Sequence, residues 1–358
     1  MRERSDAMVR LAVVGFGRLA RNYYAPALRA IPGAEICAIA DSLAASRDAA
    51  HAAFPAARIY ADYRELLAHE QIDALVVASP PSTHLGVWNE AARRGIPVLM
   101  EKPFVLGGEL ERAASSAEAR ALLMPNFNRR LWPDYRAMRQ LCIGGSLGAI
   151  ESAHFALRID LRPWCSVTRH RLSAGEGGAL FDLGSSQLDL IEYVLGAEIA
   201  SLEAASAKVE PSGEGVVLSV LLGNGVPVRC EIGYSTRNRE SVAIVGARAS
   251  VVLANPNTAL HVTPRGSGKF PLMRFLRDSI VFGNRAVFRG RSMLRYTIRA
   301  SLAEFVDAVA AGRPFSPGFD DAAHNCACLE AAQRSVAERR PIEIKPPANH
   351  ADVREAST

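Results

Sequence analysis

Val9-Arg10-Leu11-Ala12-Val13-Val14-Gly15-Phe16-Gly17-Arg18-Leu19-Ala20 reads as a short apolar strand, a turn with two glycines and the start of a helix. Each small residue has a use in that setting. Gly15 permits a tight exit from the strand, Gly17 lets backbone approach a pyrophosphate, and Ala20 allows close helix packing while the helix amino terminus faces the phosphates. The next apolar stretch, Glu35 to Ala40, ends at Asp41. A carboxylate there can accept hydrogen bonds from ribose hydroxyls and repels a 2′-phosphate, which favours NAD. Arg18 and Arg47 could offset that repulsion, so NADP stays open as the alternative cofactor.

Working outward, strands are expected at 58–60, 74–78, 97–100 and 122–124, with helices at 19–31, 44–53, 63–68, 83–94 and 110–120. Continuous apolar strands separated by helices predict a doubly wound parallel sheet ending near residue 127. Its carboxyl edge would gather Ser79, Pro80, His84, Glu101, Lys102 and Asn128 beside the glycine turn.

At 358 residues the chain exceeds one ordinary core, so two domains are expected. No run approaches the roughly eighteen apolar positions of a membrane span, and the charged start Met1 to Met8 does not fit a cleaved signal segment. Six cysteines without C-x-x-C spacing fall mostly in apolar stretches. They predict buried thiols, a reducing cytoplasm and no resident metal. Charge is uneven: nine Lys and Arg between Arg265 and Arg299 face only Asp278, a net of +8 in a chain whose total is +5. This basic insertion mixes apolar and cationic residues at helical spacing. An oligomer-contacting helix pair, a phosphate pocket or peripheral contact with an anionic membrane through 270–299 all remain open, while no nucleic-acid fold accompanies the charge.

Four segments, the glycine turn, Ala78 to His84, Met100-Glu101-Lys102-Pro103 and Glu176 to Asp189, make the chain resemble the glucose–fructose oxidoreductase, inositol dehydrogenase and MocA (Gfo/Idh/MocA) family. The resemblance implies a Rossmann domain over 1–127 and an α+β domain with an open, mainly antiparallel sheet over 128–345, followed by a tail at 346–358. It also implies a homodimer or homotetramer through one sheet face, and hydride transfer on a secondary alcohol or ketone of a sugar, cyclitol or nucleotide-sugar. Periodicity agrees on strands near 149–160, 198–208, 216–222, 226–234, 241–246 and 249–253, and on helices near 182–195, 297–311 and 320–338.

By the same resemblance Lys102 orients the substrate oxygen and helps move its proton, as an ammonium beside developing alkoxide charge can, and Pro103 sets a turn, with a cis bond as one option. Asp182 is the first member of a pair whose second, four residues on, is usually a histidine; here it is Ser186. A serine hydroxyl relays a proton but cannot store one at neutral pH. Three readings follow. Lys102 works with Ser186 and water as relay; or His170 or His154 supplies the imidazole; or the chain is a non-catalytic dinucleotide-binding regulator or scaffold. Substrate contacts are expected from Lys102, Arg129, Arg158, Trp164, Arg171, Asp182, Ser186 and Gln187, because arginine forks suit carboxylate or phosphate and a tryptophan face suits a sugar ring.

Overall fold

The computed structural model describes residues 8–160, 162, 178–209, 213–254, 260–265 and 293–344, and the chain divides into two compact units. The first runs as far as Asn128 and takes in the later stretch ending at Ala323; the second comprises the chain from Arg129 and again from His324. Most of the basic segment and the carboxyl-terminal tail lie outside the described residues.

In the first unit β1 (Val9–Val14), β2 (Ala34–Ala40), β3 (Arg58–Tyr60), β4 (Ala74–Val77), β5 (Val98–Met100) and β6 (Leu123–Pro125) form one sheet in the order β3-β2-β1-β4-β5-β6. Every neighbouring pair is parallel. β4 and β5 are buried at every residue, because helices cover both faces of such a sheet and leave no polar side to alternate. The connections carry α1 (Ala25–Leu28), α2 (Ala44–Ala53), α3 (Tyr63–His69), α4 (His84–Arg93) and α5 (Ala117–Arg120).

Two expected helices differ in detail. The one after the glycine turn contains a π turn, Ala20–Tyr24, before α1. The helix expected over 110–120 is broken into a 3-10 turn, Leu110–Arg112, and α5. Ser116 divides them: its hydroxyl accepts the Ala119 N–H at 3.2 Å, an N-cap contact that starts a new helix.

The second unit holds α6 (Pro133–Ile143), β7 (Ile150–Asp160), a π turn Leu180–Gly184 that runs into α7 (Ser185–Leu195), and then β8 (Ile199–Val209), β9 (Gly213–Leu222), β10 (Pro227–Ser235), β11 (Arg239–Gly246), β12 (Ala249–Ala254) and β13 (His261–Pro264). After α8 (Met293–Ala311) and α9 (Phe319–Glu338), β14 (Ile342–Glu343) completes an eight-stranded sheet ordered β13-β12-β11-β7-β10-β9-β8-β14. Only β7 and β10 pair in parallel among its neighbours. β13, β14 and α6 lie beyond the sequence expectation. The strands are too short for periodicity, whereas α6 carried a readable signal in Pro133 at its first turn and in buried Tyr135, Met138, Leu141 and Cys142 at helical spacing.

Register fixes the faces of this sheet. Val228, Cys230 and Ile232 stand opposite Ala153, Phe155 and Leu157, all buried, and Gly184 lies so close to Ile232 and Leu329 that a Cβ there would meet them at 3.3 and 3.4 Å. The helix with the second π turn therefore packs on that face. The opposite face carries His154, Arg158, Arg229 and Glu231, together with exposed Leu221 and Val252.

Sequence reading placed the helix at 297–311 in the second domain, and the structure corrects this. Ile298, Leu302, Phe305 and Val306 of α8 are buried in one cluster with Leu11, Val13, Tyr24 and Leu28, so an apolar face that alternates at helical spacing completes the cover of the first sheet. No helix among the described residues is long and apolar enough to cross a membrane. Leu302→Ala should cost about 2–5 kcal/mol of stability, read by urea denaturation as a lowered midpoint for the nucleotide-binding unit. An unchanged midpoint would remove α8 from that core.

Candidate active site

The carboxyl ends of the first sheet converge as sequence reading expected. Gly15 follows β1, and its N–H donates to Ala40 O at 2.8 Å. Its φ is +89°, and a Cβ on it would lie 2.5 Å from Ser79 N, so only glycine lets the turn pass the loop after β4. A Cβ on Gly17, by contrast, would meet nothing within 4 Å. No packing within the described protein asks for glycine there, and open space above the start of a helix is what a pyrophosphate needs. Phe16 and Ala20 are buried beneath, while Arg18 and Leu19 are half-buried at the helix start.

Asp41 accepts the Phe16 N–H at 2.7 Å through Oδ2 and the Leu43 N–H at 2.9 Å through Oδ1. A carboxylate offers about four acceptor sites, so acceptor capacity remains on both oxygens for ribose hydroxyls. Arg47 donates to the carbonyls of Asp41 and Ser42 at 3.0 and 2.8 Å, which anchors its guanidinium on the backbone. These features fit a dinucleotide whose ribose carries free hydroxyls.

Beyond β5, Glu101 is buried and Lys102 half-buried, and the Lys102–Pro103 peptide bond is cis. Glu101 Oε1 accepts Tyr24 OH at 2.6 Å and Asn126 Nδ2 at 2.8 Å, while Oε2 accepts the Lys102 N–H at 3.3 Å. Burial first, and then the Glu101 charge, raise the Tyr24 pKa well above its ordinary value, so the phenol remains a donor. Asn126 Oδ1, buried at the same edge, has no hydrogen-bond partner. It is a polar atom left over for a bound molecule. Tyr24 is the contributor to this cluster that sequence reading did not assign. Asn128 follows in a short 3-10 turn, Asn128–Leu131.

His84 is wholly buried between two loops, with Nδ1 2.9 Å from Pro103 O and Nε2 3.0 Å from Ser79 O. Pro80 continues the same loop, held by Thr83 Oγ1 donating to Pro80 O at 2.8 Å. His84 therefore ties the loop after β4 to the turn after Lys102.

In the second unit Asp182 lies within the π turn and Ser186 one turn later in α7, both half-buried. Tyr234 OH donates to Asp182 Oδ2 at 3.2 Å. Gln187 is buried, and neither atom of its amide has a hydrogen-bond partner among the described residues. Behind them Arg130 grips Asp189, with Nη2 2.6 Å from Oδ1 and Nε 3.0 Å from it.

Several expected residues are placed elsewhere. Arg129 is paired with buried Glu240, which also accepts from Tyr135 OH, so its charge serves the interior of the second unit and not a ligand. Arg158 and His154 face Glu231 at 3.4 Å on the sheet face opposite the helix bearing Asp182. Burial would raise the Glu231 carboxyl, yet Arg229, His154 and Arg158 hold it below its ordinary value. His154 thus cannot supply the imidazole missing at Ser186 without crossing the sheet. Trp164, His170 and Arg171 lie outside the described residues. The five described cysteines are buried and form no disulfide.

Burial lowers the His84 pKa against the pull of its two carbonyl partners. An unfolded chain then binds the proton first, so the contribution of His84 is full above its ordinary value of about 6.5 and drains as pH falls toward the folded value. Melting temperature should fall more steeply with acidification below that pH in the wild type than in His84→Asn. Parallel profiles would show that the ring is not held neutral.

The first unit matches a family model for the Gfo/Idh/MocA oxidoreductases with an NAD-binding Rossmann fold over residues 9–124, and the model of that family's carboxyl-terminal domain matches residues 135–252. An inositol 2-dehydrogenase of Rhizobium meliloti is 27% identical over 351 residues, 94% of this chain and 99% of its own length. Among solved structures, the WlbA dehydrogenase of Bordetella pertussis, in complex with NADH and UDP-GlcNAcA, superposes with a TM-score of 0.80 at 19% identity, covering 95% of this chain and 99% of that one. A myo-inositol 2-dehydrogenase of Lactobacillus plantarum gives 0.76 at 19% identity over 94% and 100%. With a nucleotide cradle and a buried carboxylate behind its lysine, the chain belongs to the Gfo/Idh/MocA family of NAD-dependent oxidoreductases.

Proposed function

We propose that the chain oxidises a secondary alcohol, or reduces the corresponding ketone, on a sugar, cyclitol or nucleotide-sugar. The observation that carries this reading is Lys102 at the carboxyl end of β5, its backbone fixed by buried Glu101 in an NAD-binding fold. Bound NAD supplies the acceptor or donor of hydride. Gly15, Gly17 and Ala20 receive its pyrophosphate, Asp41 its adenosine ribose, and the carboxylate at 41 favours NAD over NADP. Lys102 steadies charge on the substrate oxygen and exchanges its proton. Asp182 accepts from a substrate hydroxyl, Ser186 relays, and the Gln187 amide adds a donor and an acceptor. The substrate class follows the names of the relatives, inositol 2-dehydrogenase and a dehydrogenase crystallised with UDP-GlcNAcA. It also suits a site whose described second-unit side chains are hydroxyl, amide and carboxylate.

The protein acts as a cytoplasmic homo-oligomer. Five buried cysteines outside any disulfide suit a reducing compartment, and a second copy would cover the sheet face on which Leu221 and Val252 are 45% and 38% exposed.

Lys102→Ala should lower kcat/KM by about 10²–10⁴-fold on whichever inositol, sugar or nucleotide-sugar the wild type turns over, with NAD affinity retained. The measurement is NADH absorbance alongside a cofactor titration. Turnover that survives the substitution would assign the chain to a binding role in which Lys102 performs no chemistry.

A further inference from the structure

Glu192, His324 and Cys328 bring a carboxylate, an imidazole and a thiol together in the second unit, with ligand atoms all within 4.8 Å of one another. His324 and Cys328 stand four residues apart on α9 and so share a face. Glu192 reaches them from α7, its Oε1 2.7 Å from His324 Nε2. The same oxygen accepts the Ile199 N–H at 2.7 Å, which fixes the carboxylate from the strand side. Asn325, next to His324, exchanges two hydrogen bonds with Ser185, donating to its carbonyl at 2.9 Å and accepting from its hydroxyl at 3.0 Å. Both helices are thereby held in register around the cluster. The side chain of His324 is 4% exposed and that of Glu192 16%, and Cys328 is wholly buried.

We propose that Glu192, His324 and Cys328 form a zinc site that clamps α7 to α9. Thiolate, imidazole and carboxylate are the donors zinc takes, and sulfur with nitrogen argues against calcium or magnesium. A thiolate and a carboxylate together cancel the charge of the dication, so the loaded site is neutral where charge is expensive. The thiol sulfur, within 4.8 Å of the other two ligand atoms, closes to about 3.6 Å from them on a tetrahedral zinc. Ligand bonds of about 2.0–2.1 Å to nitrogen and oxygen put tetrahedral neighbours roughly 3.3 Å apart, so the imidazole and carboxylate separate by only about 0.6 Å. The partial exposure of Glu192 leaves a side from which water can fill the fourth position. Loading replaces the S–H bond of Cys328 with a sulfur–zinc bond and releases that proton to solvent. The site lies nearly two turns along α7 from Ser186, so zinc would stiffen the helix that carries Ser186 and Gln187.

The test uses the untagged full chain, equilibrated with zinc chloride, freed of loose metal by gel filtration and assayed by elemental analysis. Wild type should retain about one zinc per chain, while His324→Gln and Cys328→Ser should each retain less than about a tenth of that, with NAD affinity unchanged as the check on folding. Zinc should raise the melting temperature of the wild type and not of the variants. Cobalt in place of zinc should give a near-ultraviolet thiolate-to-metal band in the wild type that Cys328→Ser lacks. Failure of the wild type to retain zinc, or equal retention in both variants, overturns the site. Should either variant fail to fold, the cobalt spectrum of the wild type decides alone, and absence of the thiolate band overturns the site.

Discussion

A buried carboxylate governs the first unit. Glu101 sits buried at the end of a strand, and leaving such a charge unpaired costs several kcal/mol. Its donors come from three places in the chain: Tyr24 from the helix after the glycine turn, Asn126 from the exit of β6, and the backbone N–H of Lys102. Asn126 Nδ2 also lies 2.6 Å from Tyr24 OH, which closes the triangle. The nucleotide-binding turn, the lysine and the strand leading out of the domain are thus mutually located by one ion. A shift in any of them would leave the charge short of a donor.

The π turns serve the same need for placement. Tyr24 is the last residue of Ala20–Tyr24, and Asp182 is central to Leu180–Gly184. A π turn inserts a residue into an α-helix and rotates the residues after it, which is why such turns concentrate where a side chain must be aimed. In the first case the rotation brings a phenol under Glu101. In the second, Gly184 allows the widened helix to lie against Ile232 and Leu329, and Asp182 meets Tyr234 of the sheet below.

Much of this was legible in the sequence, for a physical reason. Parallel strands buried on both faces write themselves as unbroken apolar runs such as Ala74–Val77, and a turn that must admit a phosphate writes itself as Gly15 and Gly17. The triangle around Glu101 was not legible, since it joins residues 77 and 25 positions apart and nothing local in tyrosine or asparagine marks them as partners of a carboxylate. Arg129 illustrates the converse. Its position after β6 suggested a ligand contact, but Glu240, 111 residues later, already neutralises it. Alternation along β7 places His154 and Arg158 on one face, and deciding which face the helix of Asp182 covers required the register with β10. The home of α8 was equally hidden, because an apolar helical face states that it needs a cover and not which core supplies it.

Serine at 186 alters the division of labour in the second unit. Tyr234 OH donates to Asp182 Oδ2, and a carboxylate has acceptor sites beyond the one that this bond uses. An accepting carboxylate and a neutral hydroxyl can hold and orient a substrate alcohol, yet neither is suited to bank its proton near neutral pH. The imidazole that would do so cannot come from His154, on the far face of the sheet, and the His84 ring is wholly buried between the carbonyls of Pro103 and Ser79. On the function proposed above the proton-handling role falls to Lys102, whose backbone buried Glu101 holds.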